Sequence, residues 1–444
     1  MKVTPGVTYH QFEEKIYVHS VNDQKDYIFE GIAFDVLDFF AKNNDATFDD
    51  LCEKLSREYD VEDMKEFRND MHEFVTELLE EKILDDGSNS DDEWSNKIPM
   101  EVASYFSKEH KLFSMSIELT YRCVERCIHC YIDDAPKFCA ADELTLEEYK
   151  DILRQAREMG CVNVLFTGGE VLLRPDLCDI VEYATSLGFI VNVYTTGVGL
   201  TDKVFDRLCA AKVNGISVSL YSGIAEEHDK ITGVKGSFEK TLKAALMFKS
   251  AGVGTFIKCV AMKQNIDSLE SLYELGKRLD IYVSAVPRVV SGHEKKCAAD
   301  YSLGTEELYK KFYELRSKYV SDEPVTETVP REQILNGNTC GAGLSSLSID
   351  PLGGVHPCLT FPKAFGSIRK ESLKNLWEKS RNLPYLKNRL MRKVTPQCET
   401  CEYIENCQVC VAALVAEKGE YFCDCGDTLL MAKAITELNK NHRQ

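Results

Sequence analysis

Residues 119–131 read Leu119-Thr120-Tyr121-Arg122-Cys123-Val124-Glu125-Arg126-Cys127-Ile128-His129-Cys130-Tyr131. Three cysteines in the spacing C-x3-C-x2-C follow directly on an apolar stretch, Leu112 to Leu119, that reads as a strand. Thiolates this close together, on a loop leaving a strand, suit three irons of a 4Fe–4S cube. The adjoining sequence offers no obvious fourth thiolate, so such a cube keeps one iron open to a small molecule. The same spacing also suits a zinc knuckle, and the residues further along distinguish the two.

Downstream, strands and helices alternate. The strands expected are Met115–Leu119, Asn163–Phe166, Ile190–Thr195, Gly215–Leu220, Thr255–Val260 and Ile281–Pro287, with amphipathic helices such as Thr145–Met159 and Phe238–Ser250 between them. This alternation predicts an α/β fold with a parallel sheet and right-handed crossovers. Six units fit a partial (β/α)6 TIM-type barrel rather than a closed barrel of eight. Sites in such folds lie at the carboxyl ends of the strands, where the cysteines stand. Thr167-Gly168-Gly169-Glu170 follows the second strand. Its glycines allow a close backbone approach, and its carboxylate suits the amine of an amino acid.

The cysteine loop after one strand and Gly-Gly-Glu after the next together resemble the radical S-adenosylmethionine (SAM) enzymes, over residues 112–290. That resemblance implies that Cys123, Cys127 and Cys130 hold a cluster whose open iron is chelated by SAM. It implies an amine contact from Glu170 beside Gly168 and Gly169, and an adenine edge at Tyr131. It further implies that a 5′-deoxyadenosyl radical takes hydrogen from the substrate. Ser217-Val-Ser-Leu-Tyr-Ser222 and His228-Asp229…Gly233…Gly236-Ser-Phe238 resemble further family segments, with Ser219 facing the SAM carboxylate. Two departures stand out. Thr232 occupies a position where relatives often have Arg, which leaves Lys230 and Lys258 as cationic candidates. Thr195-Thr196-Gly197 replaces Thr-Asn-Gly and puts Thr196 at the SAM edge.

The C-terminal third carries Cys340-x12-Gly353-x4-Cys358, then Cys398-x2-Cys401-x5-Cys407-x2-Cys410, then Cys423-Asp-Cys425. Seven or eight thiolates in paired spacings suit two more clusters, or two or more zinc ions. The order resembles the SPASM extension of radical SAM enzymes, apart from x2 between Cys407 and Cys410 where x3 is usual. The resemblance implies a proximal cluster on Cys340, Cys358 and Cys410. It implies a distal one on Cys398, Cys401, Cys407 and either Cys423 or Cys425, making three 4Fe–4S clusters in all. Gly341-Ala-Gly-Leu-Ser-Ser346 contains no further cysteine, so the proximal cluster is expected to keep an open iron for a substrate thiolate. The remaining cysteines, Cys52, Cys139, Cys161, Cys178, Cys209, Cys259 and Cys297, read as core thiols, and His228 and His356 as structural.

The N-terminal 86 residues read as a separate small α+β module. Strands at Lys15–Ser20 and Asp26–Glu30 precede helices at Gly31–Lys42, Thr47–Tyr59 and Val61–Glu81, with Thr47 as an N-cap. The hairpin, the helix opening at Gly31-Ile-Ala-Phe and the closing Leu78-Leu79…Ile83-Leu84 resemble the PQQ-chaperone-like winged helix, which recognises the leader of ribosomally made peptides. An open sheet edge can take an extended peptide as an added strand. Residues 87–111 read as a linker, 291–334 as a bridging helical region and 335–444 as the SPASM domain.

The chain of 444 residues has a net charge of −19, and its first hundred residues carry 26 Asp and Glu against 10 Lys and Arg. Such a surface disfavours nucleic acid; the acidic bias reads as a solvated face, with a module that attracts a basic segment of a partner as the alternative. Eighteen cysteines without an export signal point to a reducing cytoplasm and metal chemistry, and no apolar run is long enough to span a membrane. Together these features resemble the maturases of ribosomally synthesised peptides, in particular the sactipeptide and ranthipeptide group. The function expected is radical-driven formation of a Cys thioether in a leader-bound precursor, with an external one-electron reductant. The rivals are a C–C cross-linking or epimerising maturase and a non-enzymatic leader-binding metal scaffold. A sulfatase maturase fits less well, because Leu359 stands where those enzymes have an acidic residue after the Cys of G-x4-C.

Overall fold

The computed structural model describes residues 2–3, 7–12, 15–20, 25–43, 46–81, 83–85, 106–132, 142–291, 300–320, 331–336, 340–383, 396–418 and 426–442. Cys139, Cys297, Cys423 and Cys425 lie outside them, as does most of the stretch read as a linker. The chain divides into two units, residues 1–105 with 188–190, and residues 106–187 with 191–444.

The first unit starts with β1 (Lys2–Val3) and a three-stranded antiparallel sheet of β2 (Val7–Phe12), β3 (Lys15–Ser20) and β4 (Lys25–Glu30). Helices α1 (Ile32–Lys42), α2 (Phe48–Glu58) and α3 (Met64–Glu80) follow, and β5 (Leu84–Asp85) pairs back on β1. Both predicted strands and all three helices are present within three residues of their expected ends. β2 is an addition; among the described residues Val7 and Tyr9 are its side chains on the core, too few to announce a strand. α2 opens on a capping box: Thr47 Oγ1 accepts from Asp50 N at 3.2 Å, and Asp50 Oδ2 accepts from Thr47 N at 2.8 Å. Asp63 caps α3 through Lys65 N and Glu66 N. Each cap is worth about 1 kcal/mol. The core gathers Ile16 and Val18 from β3, Val36 and Phe40 from α1, Leu51 and Leu55 from α2, and Val75 and Leu78 from α3.

In the second unit the predicted alternation is present throughout. β6 (Ser114–Thr120), β7 (Asn163–Gly168), β8 (Ile190–Thr195), β9 (Gly215–Ser219), β10 (Gly254–Val260) and β11 (Tyr282–Val286) lie side by side in chain order. The pairings β6–β7, β8–β9, β9–β10 and β10–β11 are parallel. The crossovers carry α4 (Leu146–Glu158), α5 (Leu177–Ser186), α6 (Asp202–Ala210), α7 (Ala225–Thr232), α8 (Ser237–Ser250) and α9 (Leu269–Leu279). The two sheet faces differ. Ile117, Phe166, Val218 and Ile257 are fully buried on the helix-covered face. Their alternates Ser116, Leu165, Tyr194, Ser219, Lys258 and Ser284 are only half-buried, so the concave face is open.

After β11 come α10 (Glu306–Tyr319) and α11 (Arg331–Asn336). Then β12 (Ser346–Ile349) joins the barrel sheet, parallel to β6, with Ser346 opposite Ser114 and Ile349 opposite Ile117. β13 (Gly354–His356) and β14 (Gly366–Ser367) extend it antiparallel to nine strands. α12 (Leu373–Ser380), α13 (Pro396–Thr400), α14 (Val411–Lys418) and α15 (Gly426–His442) complete the chain. The cysteine-rich segment is therefore an outward continuation of the barrel sheet. α10 packs along α15, with Lys310 Nζ 2.7 Å from Glu437. Trp377 of α12 donates to His110 O at 3.0 Å.

Candidate functional site

The loop after β6 is held by backbone hydrogen bonds on two sides. Gly169 N donates to Thr120 O at 2.7 Å and Glu170 N to Arg122 O at 2.8 Å, tying the end of β7 to the residues just before Cys123. Arg126 N donates to Thr232 O at 2.7 Å and Ile128 N to Ile231 O at 3.0 Å, tying the middle of the loop to the last turn of α7. The two glycines are required here. A Cβ on Gly168, whose φ is +132°, would stand 2.3 Å from Thr120 O, and one on Gly169 would stand 2.3 Å from Arg122 O. Gly-Gly-Glu is thus the clamp that positions the cysteine loop.

Cys123, Cys127 and Cys130 are partly buried. Burial pushes the Cys123 thiol up to about 12 and that of Cys127 well above its ordinary value, and the nearby Cys130 adds to both. Glu125, nine-tenths or more buried, sits among them and accepts from Cys127 Sγ at 3.3 Å. Three thiolates in so dry a place need a bound cation to hold their charge. Among the described residues no three His, Cys, Asp or Glu side chains converge closely enough to hold a single metal ion.

Glu170 is completely buried, and burial raises its pKa. Its Oε1 accepts from Thr195 Oγ1 at 2.5 Å and Leu172 N at 3.0 Å. Its Oε2 accepts from Thr196 N at 2.6 Å and from Thr196 Oγ1. The carboxylate therefore bridges the carboxyl ends of β7 and β8, and Thr196 is one of its direct partners. Tyr131 is turned toward β6, where its hydroxyl donates to Glu118 Oε1 at 2.6 Å. Burial pushes Glu118 up to about 7. Ser219 ends β9, opposite Lys258 of β10. Lys230 is exposed on α7, whereas Lys258 is half-buried on the open face. His228 is buried and neutral: its Nδ1 accepts from Tyr221 N at 3.2 Å, and burial lowers it to about 4.

In the C-terminal segment Cys358 lies within electrostatic reach of both Cys410 and Cys340, and burial lifts its thiol to about 11. Leu344, Phe361, Val411 and Ala412 form the apolar cluster against which Cys358 and Cys410 pack. These three cysteines come from separate segments yet meet. Cys398, Cys401 and Cys407 follow one another around α13, where Arg331 of α11 donates to Cys401 O at 3.0 Å, Cys398 O at 3.3 Å and Glu399 O. His356 is braced, with Nε2 3.0 Å from Asp350 Oδ2 and Nδ1 2.9 Å from Phe361 O. Cys52, Cys161, Cys178 and Cys259 are buried, and Cys209 is partly so.

Thr195, Glu118 and Arg331 were not among the residues expected at the site. The doubled threonine at a strand end is a usable signal for the first. The other two act through contacts between residues 13 and 67–70 positions apart, which no local pattern announces.

Residues 117–276 match the model of the radical SAM superfamily, and residues 340–410 match that of the SPASM iron–sulfur cluster-binding domain. The AdoMet-dependent heme synthase of Methanosarcina barkeri is 28% identical over 331 residues, covering 68% of this chain and 92% of that protein. The PqqA peptide cyclase of Rhizobium meliloti is 29% identical, covering 64% and 78%. The antilisterial bacteriocin subtilosin biosynthesis protein AlbA of Bacillus subtilis is 27% identical, covering 64% and 61%. Among solved structures, Streptococcus suis SuiB bound to the precursor peptide SuiA shares the fold at 16% identity and a TM-score of 0.59, covering 95% of this chain and 98% of SuiB. The clamped cysteine loop of β6 and the thiolates beside β12 thus lie within two recognisable modules: the chain carries a radical SAM domain over residues 117–276 and a SPASM domain over residues 340–410.

Proposed function

We propose that this protein is a maturase of a ribosomally synthesised peptide, joining a cysteine sulfur to a carbon of a precursor whose leader is bound by the N-terminal unit. One observation carries the reading. β12 is hydrogen-bonded directly beside β6, so the strand that launches the Cys123–Cys130 loop neighbours the strand that leads, through β13, to Cys358. Cys123, Cys127 and Cys130 would hold the SAM-binding cluster, and Cys340, Cys358 and Cys410 the proximal one. Cys398, Cys401 and Cys407, with Cys423 or Cys425, would hold the distal one, for three clusters in all.

With SAM and its cluster bound, the site supplies a 5′-deoxyadenosyl radical that removes a hydrogen atom from a substrate carbon. Forming the S–C bond then releases the thiol proton and one surplus electron. A cluster held by Cys340, Cys358 and Cys410 would give that electron a destination and, with an open iron, would offer the substrate sulfur a place to bind. Glu170, Thr195 and Thr196 organise the strand ends that face SAM. The glycine clamp keeps the loop rigid, and the tightly packed helix face keeps water out from below. An external one-electron donor starts each cycle.

The N-terminal unit supports a peptide substrate in two ways. It is strongly acidic, which suits a basic leader, and its three-stranded sheet has two edge strands, β2 and β4, either able to accept an added strand. Likeness in fold to SuiB extends over this unit as well, since it covers 95% of the chain. The heme synthase relative keeps a tetrapyrrole substrate as the second reading.

The test is anaerobic incubation with SAM, dithionite and a leader-bearing, cysteine-containing peptide, read by mass spectrometry. Loss of two hydrogens together with loss of thiol alkylation is the expected result. Loss of two hydrogens with the thiols still alkylatable would replace the thioether by a C–C link. Formation of 5′-deoxyadenosine with every offered peptide unchanged, alongside turnover of a tetrapyrrole, would refute the peptide reading.

A further inference from the structure

The chain as a whole is acidic, yet residues 361–383 carry six Lys and Arg against two Glu. Part of that positive charge is neutralised locally. Arg369 Nε lies 2.7 Å from Glu148, Lys379 is paired with Glu371, and Arg381 with Glu378. Lys370 and Lys374 are exposed, and among the described residues no carboxylate stands within ion-pair distance of either. Both belong to one tip of the fold, formed by the turn between β12 and β13 and the turn between β14 and α12. Ile368 N donates to Gly353 O at 2.8 Å and Lys370 N to Ser367 O at 3.0 Å, and Ser372 caps α12 through Asn375 N. Leu352, in the first of these turns, is 47% exposed. The tip thus offers solvent one apolar side chain and two unpaired ammonium groups.

This tip is anchored to the segment that follows the cysteine loop. Leu144 N donates to Pro351 O at 2.7 Å, and Arg369 Nη2 donates to Glu143 O at 3.3 Å. The Glu143 carboxylate accepts from Thr120 Oγ1 at 2.5 Å and lies 3.6 Å from Arg122, the residue before Cys123. The charged tip therefore borders the base of the Cys123–Cys130 loop. A small charged surface with a single apolar side chain suits a brief encounter rather than a permanent interface. Redox partners meet over such surfaces, and opposite charge raises their rate of encounter. A basic peptide segment is repelled here, and a nucleic acid is disfavoured by the net charge of −19 on the whole chain.

We infer that the tip formed by Leu352, Lys370 and Lys374 docks a small acidic one-electron carrier, a flavin or iron–sulfur protein, beside the Cys123–Cys130 loop. The inference rests on the external donor that the function proposed above requires, and it is independent of which substrate is modified. One electron leaves the reduced carrier for the iron–sulfur site of the loop. No atom is transferred, and the carrier departs oxidised by one electron.

The test compares wild type with the double variant Lys370→Glu/Lys374→Glu as reconstituted holoenzyme, following 5′-deoxyadenosine formed from SAM. One arm is driven by a reduced acidic flavodoxin or ferredoxin, the other by dithionite. With limiting carrier at low salt the double variant should be slower by about 10-fold or more, while dithionite gives the wild-type rate. Added KCl should slow the carrier-driven wild type and change the double variant little. Leu352→Ser should slow the carrier arm by a smaller factor. Lys240→Glu/Lys243→Glu, two exposed positions on α8, controls for net charge and should behave as wild type. The inference is overturned if the carrier-driven rate of the double variant is unchanged, if both reductants lose equally, if the α8 pair loses as much, or if neither carrier drives the wild type. Weaker binding of an acidic peptide with the carrier arm unchanged would assign the tip to a peptide and overturn it as well. Peptide product is not scored, so failure of the peptide reading leaves the comparison intact.

Discussion

The two places where thiolates gather on this sheet are built in opposite ways. Cys123, Cys127 and Cys130 sit on one continuous loop, and rigidity is imported by four backbone hydrogen bonds from β7 and α7. Cys340, Cys358 and Cys410 arrive from three segments up to 70 residues apart, and Cys358 and Cys410 pack against an apolar cluster of side chains around Leu344 and Phe361. The first site depends on backbone that almost any side-chain change elsewhere leaves alone. The second depends on packing that assembles late and at long range. On the function proposed above the difference would suit their tasks: a radical source requires fixed geometry, and a site that receives a peptide has to admit one.

The sharpest way to break the first site without touching a ligand is Gly169→Ala, whose Cβ would meet Arg122 O at 2.3 Å and Tyr121 O at 2.6 Å. Cluster loading on the loop should be lost, with SAM cleavage abolished and iron falling by about a third from the roughly twelve atoms that three cubes hold. Retained SAM cleavage in this variant would mean that the clamp is dispensable. Cys358→Ala tests the second site. Iron should again fall by about a third while 5′-deoxyadenosine still forms, and peptide product should drop by about 100-fold. A variant that loses SAM cleavage as well would show the two sites to be one cooperative structure.

A smaller effect should separate them by pH. His228 anchors the start of α7, whose last turn holds the cysteine loop, and its pKa is about 4 where an unfolded histidine has 6.5. The unfolded chain therefore binds more protons between these values, so native stability falls as pH drops from 6.5 toward 4. At pH 5 the loss amounts to about 2 kcal/mol. His228→Asn should flatten that slope in urea titrations from pH 7 to pH 5, and an unchanged slope would sink the assignment. The smallest effect is expected at the distal knuckle. Arg331→Gln removes the donor to Cys398 O, Cys401 O and Glu399 O, and iron loss to a chelator should quicken by about 10-fold from that cluster alone. Equal loss from all three clusters would assign Arg331 a global structural role.

Local pattern accounted for much of this molecule. The six barrel strands lie within two residues of their expected ends, because a half-buried strand repeats every two residues and a covering helix every three to four. The cysteine loop and Gly-Gly-Glu were legible for the same reason: each works through its own backbone, over a few consecutive positions. The β2 strand was not, since among the described residues only Val7 and Tyr9 mark its core side. The joining of β12 to β6 was not either, because a parallel pairing across 232 residues leaves no trace in either strand's own alternation. Lys230 and Lys258 were equal candidates as letters in a sequence. Only the tertiary structure separated them, by exposing Lys230 on a helix and leaving Lys258 half-buried on the sheet between Ser219 and Ser284, since the cost of a charge depends on how much water the fold leaves around it.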